Sequence, residues 1–511
     1  MLVSALCACK GETAAPLASQ SIGAAGGTVS VPASSSPLAG TQVVIPPGAL
    51  GAPTTITIGE GTSRSLQRTV LVTDFGPAGT VFAKPVVISI KYSQQYLTDN
   101  ALSDPNQLKV VQMDANAAPS TLGTISVDAT NHLITTRTTH FSGFVVLGYT
   151  NASLSGTYVG SSFKLYATAQ GSTPAPGSPL PTPRGFISSF VTMTFDGSGS
   201  VSFTGTENQD GVSTSTSGSG TYSIAPNGTL TLTTNGKSKS GSVLAGGSAF
   251  ILATPNGEPG IIIGFQKAGT FTSASLSGAY VGESFKMYGT AQGTAPTQGS
   301  PLPAPRGFAS SLVTLTFDGA GGVSLTGSEN EDGTSAPTSG SGTYSIASDG
   351  TLTLTTNGKS KSGSVLAGGG AFMLATPNGE PGIIVALKVG GTFDNASLEG
   401  AYVGATFKMY STAQGTTPAP GTTLPAPRGF TSSLVALTFD GAGSVSFNGS
   451  ENQDGTSTPT SGSGSYSVAG DGTLTLTVNG KAKTGSVLAG GSAFILAVPN
   501  GDVGITIALR Q

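Results

Sequence analysis

From residue 154 onward the chain repeats itself three times at a fixed step of 122 residues. Leu154, Leu276 and Leu398 keep this step, as do Arg184, Arg306 and Arg428, and Tyr222, Tyr344 and Tyr466. Pro255, Pro377 and Pro499 follow it too, with no insertion between, so whatever fold one copy adopts the other two must share. Copies this alike point to recent duplication, and their shared residues report common ancestry rather than selection. One copy reads as eight strands: Thr157 to Ala167, Phe186 to Phe195, Val201 to Glu207, Gly218 to Ile224, Thr229 to Thr233, Lys239 to Ala245, Ala249 to Thr254 and Gly260 to Gln266. Asp196-Gly197, Asn227-Gly228, Asn235-Gly236 and Asn256-Gly257 punctuate them, and such pairs accept the positive φ of tight hairpins. Strands joined this closely are antiparallel neighbours. Val191, Met193 and Phe195 share one face, as do Leu230 with Leu232 and Phe250 with Leu252, while the other face is mainly Ser, Thr and Gly. A meander with one apolar face closes most economically as an eight-stranded up-and-down barrel, which leaves no exposed edge.

Composition narrows the class. Of 511 residues, 76 are Gly, 31 are Pro and only 9% are charged. Disordered chains carry more charge and lack regular apolar spacing, so this mixture is folded and rich in turns. A formal charge of -3 with no basic block argues against nucleic acid as a partner. No run of 18 apolar residues is present to span a membrane as a helix. Strands read as mostly five to eight residues long fall short of the roughly 9–11 that a bilayer-spanning barrel needs, which argues against a pore. Cys7 and Cys9 are the only cysteines, so no disulfide framework holds the folded part.

Residues 20–150 form a separate all-β domain. Thr28–Val31, Thr41–Ile45, Thr54–Ile58, Val86–Tyr92 and Leu108–Met113 carry strand patterning, broken by Gly26-Gly27, Pro46-Pro47-Gly48 and Gly76-Pro77. No helix-length amphipathic segment separates them, so a sheet packed on a sheet is expected, not a nucleotide-binding unit. Gly26-Gly27-Thr-Val, Ile45-Pro-Pro-Gly-Ala-Leu50 and Gly76-Pro-Ala-Gly-Thr-Val-Phe-Ala-Lys-Pro-Val86 stand in order over this stretch. Together they resemble the ZU-five domain of scaffold proteins, receptors and bacterial surface lipoproteins. That resemblance implies a β-sandwich used for protein–protein contact and no enzyme.

At the other end of the domain stands Thr139-His140-Phe141-Ser142-Gly143. Some ZU-five-bearing proteins cut themselves at His-Phe-Ser, and the resemblance implies His140 as base and Ser142 as nucleophile on the Phe141 carbonyl. The simpler reading makes His140 the end of a strand whose Phe141, Phe144 and Val146 fill the core.

The opening residues 1–19 resemble the tail of a bacterial lipoprotein signal followed by a polar tether. Leu6-Cys7-Ala8-Cys9 fits the lipobox, with small Ala8 before Cys9 as the lipidated residue. Lys10 rather than Asp follows, which in the enterobacterial version of the family implies outer-membrane sorting. The barrels loosely resemble calycins, lipocalins and avidin among them. Gly156-Thr-Tyr158, Gly278-Ala-Tyr280 and Gly400-Ala-Tyr402 stand where those families open with Gly-x-Trp.

Other candidate sites have bland readings. The Pro-rich stretch 171–184 is a stiff lid, a polyproline ligand or a solvated loop. Glu207-Asn-Gln-Asp210-Gly, the one acidic cluster per module, lacks any calcium-loop spacing and ends in hairpin chemistry. Asn235-Gly-Lys-Ser238 lacks the upstream Gly of a phosphate loop and is a turn. The repeats contain no His and no Cys, so a nucleophile with its base is not expected in them. Residues 152–273, 274–395 and 396–511 are thus expected to be three barrels that bind nothing catalytically and need no cofactor or metal. The leading expectation is an exported outer-membrane lipoprotein, on the surface or periplasmic face, contacting surface proteins or glycans with avidity from three modules. The alternatives are a carrier of small apolar ligands and a protein cut between Phe141 and Ser142. Tyr158, Phe163, Leu165, Phe195, Phe203, Tyr222, Leu232, Phe250 and Phe265 are expected inside the first barrel, enough to fill it.

Overall fold

The alternation read from the sequence builds a protein whose described residues are 69% strand and 5% helix in a computed structural model. The structure describes residues 15–511 apart from 34–35, 62–70, 100–101, 103, 114–119, 168–183, 210–211, 245–246, 255–258, 290–305, 332–333, 357, 376–380, 411–428, 454–455 and 498–502. It comprises two units, the N-terminal β region and the repeats.

The N-terminal unit has two sheets. One runs in the order Ala18–Ile22, Thr54–Glu60, Val72–Gly76, Gly143–Gly148, Leu108–Met113, Ser120–Leu122. The other runs Gly27–Ser30, Gln42–Ile45, Val81–Lys91, Leu133–His140, Thr124–Asp128. Their inner faces share one core of Ile56, Ile58, Phe75, Ile88, Phe141 and Phe144 among others, as two stacked sheets require. A short helix, Gln94–Asp99, lies between strands.

Each repeat is a closed eight-stranded antiparallel barrel with successive strands paired and the eighth strand paired to the first. In module 1 the strands are Ser155–Ala167, Arg184–Asp196, Ser200–Gln209, Val212–Ile224, Thr229–Thr234, Lys237–Val243, Ala249–Ala253 and Gly260–Gln266. The same eight recur in modules 2 and 3. Three of these strands have 13 residues, so the expectation of mostly short strands is corrected. The largest difference is the fourth strand, which starts at Val212 and not at the expected Gly218. The Ser/Thr/Gly run there pairs residue by residue with the third strand, and its Gly218 leaves room for the Phe203 ring, which a Cβ would meet at 2.7 Å. Ser213, Ser215, Ser217 and Ser219 face outward and are exposed. A hydroxyl-bearing outer wall is the reverse of a lipid-facing barrel, whose exterior is an apolar band. Gly156 enters the first strand at φ 95°, a conformation that accounts for glycine ahead of Tyr158.

Candidate functional site

The His140-Phe141-Ser142 stretch lies where the strand Leu133–His140 ends, just past a register shift between Thr138 and His140. Phe141 is 1% exposed and packs on Phe75 and Phe82 at ring distances of 5.5 and 4.7 Å. Its N–H donates to Thr80 O and its carbonyl accepts from Gly79 N–H, both at 2.9 Å. His140 Nε2 lies 2.8 Å from Gln112 Nε2, the amide nitrogen that can donate to it. Ser142 Oγ, largely buried, donates to Gly143 O at 3.4 Å. Each member therefore has a structural partner, and Gly79 supplies a donor to the carbonyl that self-cleavage would attack. On this geometry purified protein is expected to run as one full-length band on a denaturing gel. A pair of bands that a Ser142→Ala variant loses would establish cleavage instead.

The barrel interiors divide into two halves. In module 1 the strand register sets Tyr158, Phe195, Tyr222, Leu232 and Phe250 inward. Tyr158–Phe195, Phe195–Tyr222 and Phe195–Phe250 meet edge to face at 5.2, 4.9 and 5.6 Å. Both phenols are satisfied, Tyr158 donating to Gly247 O at 2.6 Å and Tyr222 to Leu154 O at 2.8 Å. Burial pushes the Tyr222 hydroxyl up to about 12 and that of Tyr158 higher still, so both remain protonated donors. Modules 2 and 3 repeat the cluster with Tyr280, Phe317, Tyr344 and Phe372, and with Tyr402, Phe439, Tyr466 and Phe494. The other half is polar. Ser162 and Ser189 hydroxyls lie 2.6 Å apart, Lys286 pairs with Glu329 at 3.1 Å and Lys408 with Glu451 at 3.8 Å.

Two residues expected inside the barrel are not there. Phe163 and Phe265 sit at odd register positions, on the outer wall, while the side chain of Leu165 lies outside the described residues. The Phe163 ring meets Phe285 at 5.0 Å and Phe407 at 5.3 Å, and Phe285 meets Phe407 at 5.2 Å. Phe186, Phe308 and Phe430 form a second triangle with edges of 5.0, 5.2 and 5.3 Å. Six phenylalanines from three modules thus converge on one axis. Around it, the last three strands of module 2 lie against the first strand of module 1, and those of module 3 against the first strand of module 2. The last three strands of module 1 lie against the first strand of module 3, which closes the circle. Ser432 Oγ and Asn452 Nδ2 of module 3 both donate to Thr254 O of module 1 at 3.0 Å. The contact is head-to-tail and closes after three steps, the geometry of a cyclic trimer built within one chain.

This junction also explains the acidic stretch. Register points Glu207 into the barrel and Asn208 outward, so adjacent members of Glu207-Asn-Gln-Asp210 serve opposite sides of one wall. Asn235-Gly-Lys-Ser238 is a hairpin turn, with Asn235 at φ 50° and Gly236 at φ 71°. Cys9, Lys10, Asp210 and residues 171–183 of the Pro-rich stretch lie outside the described residues. No family model matches the chain, and no curated protein matches it in sequence.

Proposed function

We propose that the chain is a non-enzymatic, lipid-anchored cell-envelope protein that makes protein–protein or glycan contacts through its three-barrel body. The observation that carries this reading is how each barrel is used. Its apolar half is occupied by aromatic side chains with satisfied hydroxyls, and its apolar exterior is spent on the neighbouring modules. What remains is a rigid body that offers the same Ser/Thr-lined wall in three orientations. Such a body suits repetitive partners, where three weak contacts add to avidity without any new chemistry. The ZU-five-like motifs, set within a two-sheet unit, supply a second contact domain on this reading. Lipidation at Cys9 would hold the assembly to the outer membrane. The carrier alternative needs interior volume that the aromatic clusters take up.

Two measurements test the proposal. Labelled residues 20–511 are expected to bind isolated envelopes of the source cell saturably, and a multivalent, particle-coupled form is expected to bind about 10²-fold more tightly. Native mass spectrometry of the same protein is expected to give the bare polypeptide mass. A small molecule retained at up to three copies per chain, with no envelope binding, would replace contact by carriage.

A further inference from the structure

Three interfaces close the barrel trimer, and one outward position on the first strand carries a charge in only one of them. The outward residue two positions before the junction phenylalanine is Ser161 in module 1, Glu283 in module 2 and Ala405 in module 3, each 0% exposed. The first strand of module 2 lies against the sixth, seventh and eighth strands of module 3, so the Glu283 carboxylate is enclosed between two modules. Neither of its oxygens has a hydrogen-bond partner among the described residues. Lys483, on the sixth strand of module 3, is within electrostatic reach, with Lys408 and Glu451 of the same barrel around that lysine. From the seventh and eighth strands only the backbone at Leu496 and Thr506 bears on the carboxylate, short of hydrogen-bond geometry. On its own barrel, Lys286 of the same strand is paired with Glu329 of the third strand.

We propose that Glu283 is a pH-sensitive latch that ties module 2 to module 3 more firmly in mild acid than at neutral pH. A carboxylate buried without hydrogen bonds is disfavoured over the neutral acid, and the lysine beside it offsets this only in part. Burial holds the Glu283 carboxyl well above the usual range, and burial also lowers Lys483 to about 8. A raised glutamate contributes stability that is complete below its unfolded value and is lost as pH rises through its folded value. The lowered lysine acts in the opposite sense, its contribution being lost as pH falls through about 8 and changing little below that. Between about pH 7.5 and about pH 5 the glutamate therefore dominates, and the interface tightens as protons are added.

The repeats provide their own control, because Lys361 and Lys239 hold the place of Lys483 in the barrels that pack against the strands of Ser161 and Ala405, where no carboxylate stands. Hydrogen exchange of the full chain, corrected for intrinsic rates, would compare peptides from 481–510 with 237–266 and 359–388. Protection in 481–510 is expected to rise between pH 7.5 and 5, about tenfold for each unit by which folding raises the glutamate, while the other two stretches do not follow. Glu283→Ala and Glu283→Ser install the residues that the other modules already carry, and either is expected to abolish the difference. A parallel response in all three stretches, or a selective one surviving in both variants, would overturn the latch.

Discussion

Replacing Phe285 by aspartate is expected to release module 2 from its neighbours while leaving its barrel closed. The ring is 0% exposed and meets Phe163, Phe407 and Phe308 at 5.0, 5.2 and 6.2 Å. Truncating a buried phenylalanine costs about 3–5 kcal/mol, and an unpaired charge in the same place adds to that. The backbone at Phe285 pairs only with Ser310 and Ile383 of its own module, so no barrel hydrogen bond depends on the side chain. Small-angle scattering should therefore show a larger radius of gyration with far-ultraviolet circular dichroism unchanged. Phe163→Asp and Phe407→Asp are expected to act alike, because the three rings are equivalent around the axis. Unchanged scattering in all three variants would mean that the polar contacts, and not the phenylalanines, hold the modules together.

The second large effect is expected at Gly485. A Cβ there would lie 1.8 Å from Ile495 O, and the equivalent positions Gly241 and Gly363 are as tight. The obstacle is a backbone carbonyl in the adjoining strand and cannot rotate away, unlike the side-chain neighbours at many other glycines. Overpacking a core commonly costs about 1–3 kcal/mol, and Gly485→Val should reach or exceed the top of that range because a strand pair must separate. A urea titration would show it as a lower midpoint for the transition that includes module 3. A midpoint within error of the parent would mean that the sixth and seventh strands do not approach as closely as described.

Both effects rest on features that the sequence shows unequally. Repetition, the inward register of Tyr158, Phe195 and Phe250, and the Asn-Gly turns were legible because they depend on local spacing and on φ preferences. The first half of the fourth strand was not, because its inner positions include Thr214 and Thr216 ahead of Gly218, which yields to Phe203, and its outer ones are serines, so no apolar period shows. A signal for the junction was nonetheless present. Ala249-Phe-Ile-Leu-Ala253 and Gly260-Ile-Ile-Ile-Gly-Phe265 are apolar on both faces, which a barrel with a wet exterior does not require. Read for two-sided burial, they predict a partner outside the barrel.

What the sequence by itself determined is the set of closed barrels, since alternation decides which side of a strand leaves water and hairpin turns decide which strands pair. Whether those barrels stand apart or lock together depended on side chains 122 residues apart meeting at 5 Å, as Phe163 and Phe285 do. No local pattern encodes such a distance. Only the tertiary structure assigned Phe163 to the junction instead of the core, and only it enclosed Glu283 between two modules, because burial of an outward-facing residue depends on what packs against it.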